Sequence, residues 1–116
     1  MVTTKMKSEI KYGVLIIYPV GNLLAGQNTD SVIESIMNHF YSGSKKVLFN
    51  MSEVDFMNSN GLALLLLTLS KVRTRGGEIA LCSISDQTKQ LLQITKLTSI
   101  FMVFVQEADA ISYLNR

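Results

Sequence analysis

The sequence predicts a single α/β domain over residues 1–116, a mixed and mostly parallel β-sheet with about four α-helices packed on it. Three observations carry that expectation. Short apolar runs of strand length recur along the chain at Val14 to Val20, Lys46 to Asn50, Glu78 to Ser83 and Ile100 to Val105. Between and after them lie longer segments with helical period or helical punctuation. A chain of 116 residues with 47% hydrophobic and 17% charged content can bury one continuous core, is too short for two domains, and is unlike a disordered segment.

The elements follow in order. Met6 to Ile10 reads as a short strand and Val14 to Val20 as a stronger one, with Tyr12-Gly13 turning between them as an opening hairpin. Pro19 cannot donate a ladder hydrogen bond, so it marks a strand terminus or an edge. Val32, Ile33, Ile36, Met37 and Phe40 then repeat with a helical period. Asp30 or Ser31 can cap that helix, Ser31 and Glu34 have capping-box spacing, and Gly43 supplies a stop, which predicts a helix from about Asp30 to Tyr41. Lys46 to Asn50 is short and apolar, as a buried strand should be. Leu62 to Arg75 runs without a breaker to Gly76-Gly77, too long for a strand and suited to a helix. Its first two turns are apolar on nearly every side, so Leu64, Leu65 and Leu67 are expected inside. Glu78 to Ser83 is the next strand. Ser85 or Asp86 caps a helix that turns Leu91, Leu92 and Ile94 inward, and a last strand, Ile100 to Val105, precedes a helix from about Glu107 to Leu114.

Composition excludes several function classes. The formal charge of +2 comes from 11 basic and 9 acidic residues spread along the chain, with no basic stripe, base-stacking aromatics or zinc-ligand spacing, so nucleic acid is not implied. Lys71, Arg73 and Arg75 read as a solvated helix end. The single cysteine, Cys82, lies in an apolar run and is expected to be a buried, inert thiol in a reducing compartment, which points to the cytoplasm. No signal-peptide core is present, and Leu62 to Leu67, the longest apolar run, is far short of a membrane span.

Enzyme constellations fare no better. His39 is the only histidine, reads as a half-exposed structural residue, and has no second metal-type ligand near it; no Gly-rich loop fits a phosphate or dinucleotide, so neither metal nor cofactor is expected. Glu53 and Asp55 sit on a polar loop and read as solvated surface. Met57 stands where a hydrolase elbow around Ser59 would need its first glycine. What stands out is Asn58-Ser59-Asn60-Gly61 between a loop and an apolar helix. All its polar residues are good capping types, and the run is explained as a helix start alone. The same geometry also suits an anion: first-turn N–H groups and the helix dipole would tolerate a phosphoserine without melting the fold.

The stretch Val54-Asp55-Phe56-Met57-Asn58-Ser59-Asn60-Gly61-Leu62-Ala63-Leu64-Leu65 closely resembles the signature of the STAS domain in bacterial anti-sigma-factor antagonists. Gly21 followed by Asn22-Leu23 is similar to that family's early Gly-Glu-Leu-Asp loop, Arg75-Gly76-Gly77-Glu78 to its helix-to-strand turn, and Leu91 to Leu97 to its leucine-rich third helix. The resemblance implies a binding module without catalysis of its own. Ser59 would be the phosphorylated residue, and Asn22, Asn58, Ser59, Asn60, Gly61 and Leu62 the partner contact. The implied partner is an anti-sigma factor with ATP-dependent serine kinase activity, bound while Ser59 is unphosphorylated so that a sigma factor is freed; a serine phosphatase would reset the switch. Three positions depart from the family pattern. Asn58 replaces its common aspartate and Asn60 its second serine, while Leu24 or a neighbour stands where the early loop carries an aspartate. The first removes a negative charge beside Ser59 and changes what a kinase would recognise there. The alternative is a STAS sensor or scaffold that is not phosphorylated and binds a small ligand or another signalling protein. An enzyme built on Ser59 is disfavoured, since nothing nearby could activate its hydroxyl.

Overall fold

The computed structural model describes residues 5–20, 29–43 and 45–116. Among these, five strands and four helices alternate as β1 Lys5–Lys11, β2 Val14–Val20, α1 Thr29–Tyr41, β3 Lys46–Asn50, α2 Ser59–Thr74, β4 Glu78–Cys82, α3 Asp86–Ile94, β5 Met102–Phe104 and α4 Glu107–Leu114. The strands form one sheet in sequence order, β1-β2-β3-β4-β5. β1 and β2 are an antiparallel hairpin, whereas β2 through β5 run parallel. Tyr12 and Gly13, at φ of 52° and 77°, make the hairpin turn that positive φ at both central residues requires. The β2–β3 ladder covers Leu15 to Ile17 only, so Pro19 lies beyond it, where its missing N–H costs no bond to β3.

The layering follows from connectivity. Each parallel crossover steps to the next strand in the same direction across the sheet, and right-handed crossovers then place their helices on one face. Leu15, Ile17, Val47, Phe49, Ile79 and Leu81 point to that face and pack with Ile36 of α1, Leu62, Leu65, Leu69 and Val72 of α2, and Leu92 of α3. The opposite face, with Val14, Ile16, Leu48, Ala80 and Cys82, is covered by Ala110 and Leu114 of α4. Burial on both faces explains why these strands are continuously apolar in sequence.

Several expectations need correction. α1 begins at Thr29, one residue earlier than expected, so Asp30 and Ser31 lie within its first turn and not ahead of it. Leu67 is 41% exposed, because α2 meets the sheet along one face only and Leu67 falls outside it. Ile94 is 78% exposed: two positions beyond the buried Leu92 it lies almost opposite on the helix. β5 is shorter than Ile100 to Val105, since Ile100 N–H and Phe101 N–H bond back to Leu97 O and Phe101 packs into the core. His39 is buried, not half-exposed; burial pushes its pKa below the usual histidine range, against a smaller opposing pull from the Gly13 backbone. Cys82 is buried as expected, and burial pushes its thiol up to about 11, with a hydrogen bond to Ser83 opposing.

Candidate functional site

The loop from β3 to α2 leaves the carboxyl end of the parallel sheet, where open α/β sheets place their binding residues. It alternates anchors with exposed positions: Met51, Val54 and Met57 are buried, whereas Ser52, Glu53, Asp55 and Phe56 face solvent. The backbone is wired at both ends. At the entry, Met51 N–H donates to Cys82 O at 2.9 Å and Ser52 N–H to Asn50 Oδ1 at 3.0 Å. At the exit, Met57 N–H donates to Gln87 Oε1 and Met57 O accepts from Gln87 Nε2, each at 2.8 Å.

Asn58 then turns the chain into α2. Its backbone is extended at φ −100° and ψ −176°, its Oδ1 accepts from Gly61 N–H at 3.0 Å, and its carbonyl accepts from Leu62 N–H at 3.0 Å. Asn58 is therefore the N-cap, which leaves Ser59 as the first helical residue, exposed, with its hydroxyl not used in capping. The N–H groups of Ser59 and Asn60 lie in the first turn, where a helix offers no internal acceptor. That turn holds no acidic residue, and Lys71 and Arg73 lie in the last turn, so an anion at Ser59 meets the positive end of the dipole with no carboxylate in the same turn.

Of the residues singled out from sequence, Asn58, Ser59, Asn60, Gly61 and Leu62 form one continuous turn, with Ser59 and Asn60 exposed and Gly61 and Leu62 buried. Leu62, expected at the partner contact, packs into the core. Asn22 lies outside the described residues. Two features were not read from sequence. Gln87 is 30 residues from Met57, and no local pattern announces that its amide will meet that backbone. The second is an apolar rim: Phe56, 49% exposed, precedes the cap, and Ala63 and Leu67 follow Ser59 at four-residue steps along the outward face of α2. Among the described residues no group of three or more His, Cys, Asp or Glu could hold a metal ion, and no helix is long and apolar enough to cross a membrane.

The chain as a whole is similar to known proteins. The anti-sigma F factor antagonist of Paenibacillus polymyxa is 24% identical over 112 residues, covering 95% of this chain and 94% of that protein. An anti-sigma factor antagonist from Mycobacterium paratuberculosis has a similar structure, with a TM-score of 0.80 at 18% identity over 98% of this chain and 96% of that one. SpoIIAA, a Bacillus cell fate determinant, solved in its phosphorylated form, gives a TM-score of 0.68 at 19% identity over 96% of this chain and 98% of its own. At such identities the solved structures establish the fold. The family model of the STAS domain matches residues 5–110, from the first strand into the last helix, and the chain belongs to that family.

Proposed function

We propose that this protein is an anti-sigma-factor antagonist that binds an anti-sigma factor with serine kinase activity, and that phosphorylation of Ser59 releases it. The supporting observation is the position of Ser59: an exposed hydroxyl at the start of α2, free of the capping role that Asn58 fills, and bordered by the exposed side chains of Phe56, Ala63 and Leu67. In the unphosphorylated protein this rim offers apolar area to a partner that covers the helix start. The partner's ATP would supply the phosphoryl group: the serine oxygen bonds to the γ-phosphorus, the bond to the β-phosphate breaks, ADP leaves, and the hydroxyl proton passes to a base of the kinase.

The phosphoserine adds about −1.5 to −2 charges, which the first-turn N–H groups can hold in water. Bringing that charge into an interface requires its desolvation, which is strongly unfavourable without a cationic partner group. Association is therefore lost while the fold is kept. The protein is a substrate and a binding module with no catalysis of its own, acting in the cytoplasm, and a serine phosphatase restores it.

Calorimetry against the cognate anti-sigma kinase tests the reading. Wild type and Ser59→Ala should bind alike, Ser59→Asp should bind at least about tenfold more weakly, and intact mass after incubation with ATP should show one phosphate on wild type and none on Ser59→Ala. A folded Ser59→Asp variant that binds as tightly as wild type, with no phosphate ever appearing, would replace this reading by that of a sensor or scaffold.

A further inference from the structure

The carboxamide of Gln87 meets the backbone of Met57 on both sides, accepting from its N–H and donating to its C=O at 2.8 Å each. A side-chain amide carries one acceptor and two donors in a plane, so it can pair with a peptide as a neighbouring strand would. Met57 is fully buried through its side chain and is a single bridge residue outside the five strands, and Gln87 takes up both polar groups of the Met57 backbone. Gln87 is itself held. It is the second residue of α3, whose N-cap Ser85 accepts from Thr88 N–H at 3.1 Å, and Thr88 is fully buried.

We infer that Gln87 is the positioning residue of the Ser59 turn. Met57 is the residue immediately before the N-cap, so fixing both polar groups of its backbone fixes the direction from which Asn58 enters α2, and with it the Ser59 hydroxyl and the first-turn N–H groups. Gln87 acts through Met57, to which both of its side-chain hydrogen bonds run. The starts of α2 and α3 are thereby joined into one unit. No other side chain fits the geometry as well. Asparagine is one methylene too short, methionine matches the length without either hydrogen bond, and ionised glutamate sets an oxygen against Met57 O. Protonated glutamate, by contrast, restores one donor and one acceptor. The assignment rests on the proposed role of Ser59 for its functional meaning, but the clamp can be measured without any partner.

Two readouts on the full chain test it. The first is amide exchange at Met57, followed by nuclear magnetic resonance. Gln87→Met should lower protection there by about tenfold or more, while the amides of β3 and β4 keep theirs. Gln87→Glu should lose protection relative to wild type at pH 8 and regain much of it at pH 5, a reversal that a packing role for the side chain would not produce. The second readout is the thiol of the Ser59→Cys variant, whose pKa reports the field and N–H groups at the helix start. Adding Gln87→Met should raise that pKa and slow labelling by iodoacetamide at pH 7, with buried Cys82 contributing little. Unchanged Met57 protection in a folded Gln87→Met protein overturns the inference, as does an unchanged thiol pKa. If Gln87→Met does not fold, the pH reversal of Gln87→Glu decides alone. A clamp confirmed by exchange together with tight binding of Ser59→Asp would retain the positioning role and remove the phosphoswitch.

Discussion

Three consecutive residues at the start of α2 could each have capped it, and only the backbone distinguishes them. Asn58 is extended and its side chain takes Gly61 N–H, so the stabilising contact belongs to Asn58 and the hydroxyl of Ser59 is left for other chemistry. Asn58→Ala should therefore lower stability by about 1 kcal/mol, whereas Ser59→Ala should change it by less than about 0.5 kcal/mol, as urea denaturation would measure. A reversed order would place the cap on Ser59 and weaken its assignment as a phosphate acceptor. The end of α3 carries the opposite kind of residue. Leu97 N–H bonds to Leu92 O and Lys96 N–H to Gln93 O, the paired bonds of a Schellman motif, with Lys96 at φ 61° in the position that glycine usually occupies. A side chain in that left-handed region is disfavoured by roughly 1 kcal/mol. The extra freedom of glycine in the unfolded chain offsets part of this, so Lys96→Gly should raise stability by less than about 1 kcal/mol in the same assay.

At the scale of elements, the sequence made type and order legible and left facing obscure. Strands β2, β3 and β4 are apolar runs bounded by turn residues, and α4 spans Glu107 to Leu114 as the pattern predicts. Leu64, Leu65 and Leu67 looked equivalent because α2 is apolar almost all round; only its docking against the sheet divides the buried Leu64 and Leu65 from the exposed Leu67. The helix start at Ser59 is legible because capping residues after a polar loop are a local signal, and Ser59 lies exposed in that first turn. The role of Gln87 is not legible, since it depends on a contact between distant segments. The same distinction applies to Gly76-Gly77, which reads as a helix stop. Gly76, at φ 78°, is indeed the left-handed residue of that stop, but Gly77 is constrained by packing. A β-carbon on Gly77 would lie 2.7 Å from Lys45 O and 2.9 Å from Val72 Cγ1, and Lys45 O already accepts from Glu78 N–H. Gly77→Ala should thus force α2 away from the start of β3 and cost about 1–3 kcal/mol, seen as a lowered melting temperature. An unchanged melt would mean that the α2–β4 turn shifts freely.

Across the whole molecule, α4 closes the sheet face that the crossover helices leave open, and a polar cluster ties it there. Glu107, the first residue of α4, accepts from Tyr18 Oη of β2 and Asn50 Nδ2 of β3 at 2.9 Å each through Oε1, and from Lys11 Nζ of β1 at 3.1 Å through Oε2. Asn50 also holds the entry of the loop to Ser59 through Ser52 N–H, so α4, three strands and the functional loop share one network. Burial is the largest single influence on the Glu107 carboxyl and pushes its pKa up, but the hydrogen bonds from Asn50, Tyr18 and Lys11 outweigh it, and the net shift is downward from 4.5. Tyr18 moves the other way, pushed up to about 12 by burial first and by its bond to Glu107 second. The consequence for stability has a definite sign. As pH falls through 4.5 the unfolded chain takes up a proton at this position while the folded protein still holds the carboxylate, so stability contributed above 4.5 is lost as pH drops through the folded value. Glu107→Gln keeps the shape and an acceptor for Tyr18 and Asn50, removes the charge, and turns an amide toward Lys11. At pH 7 it should be less stable than wild type by about 1–2 kcal/mol, discounted because Lys11 is half-exposed. Groups remote from this cluster contribute alike to both proteins and cancel in the comparison. Urea denaturation should show the gap narrowing from pH 7 to pH 3, and a gap of the same size at both would mean that Glu107 holds α4 by shape alone.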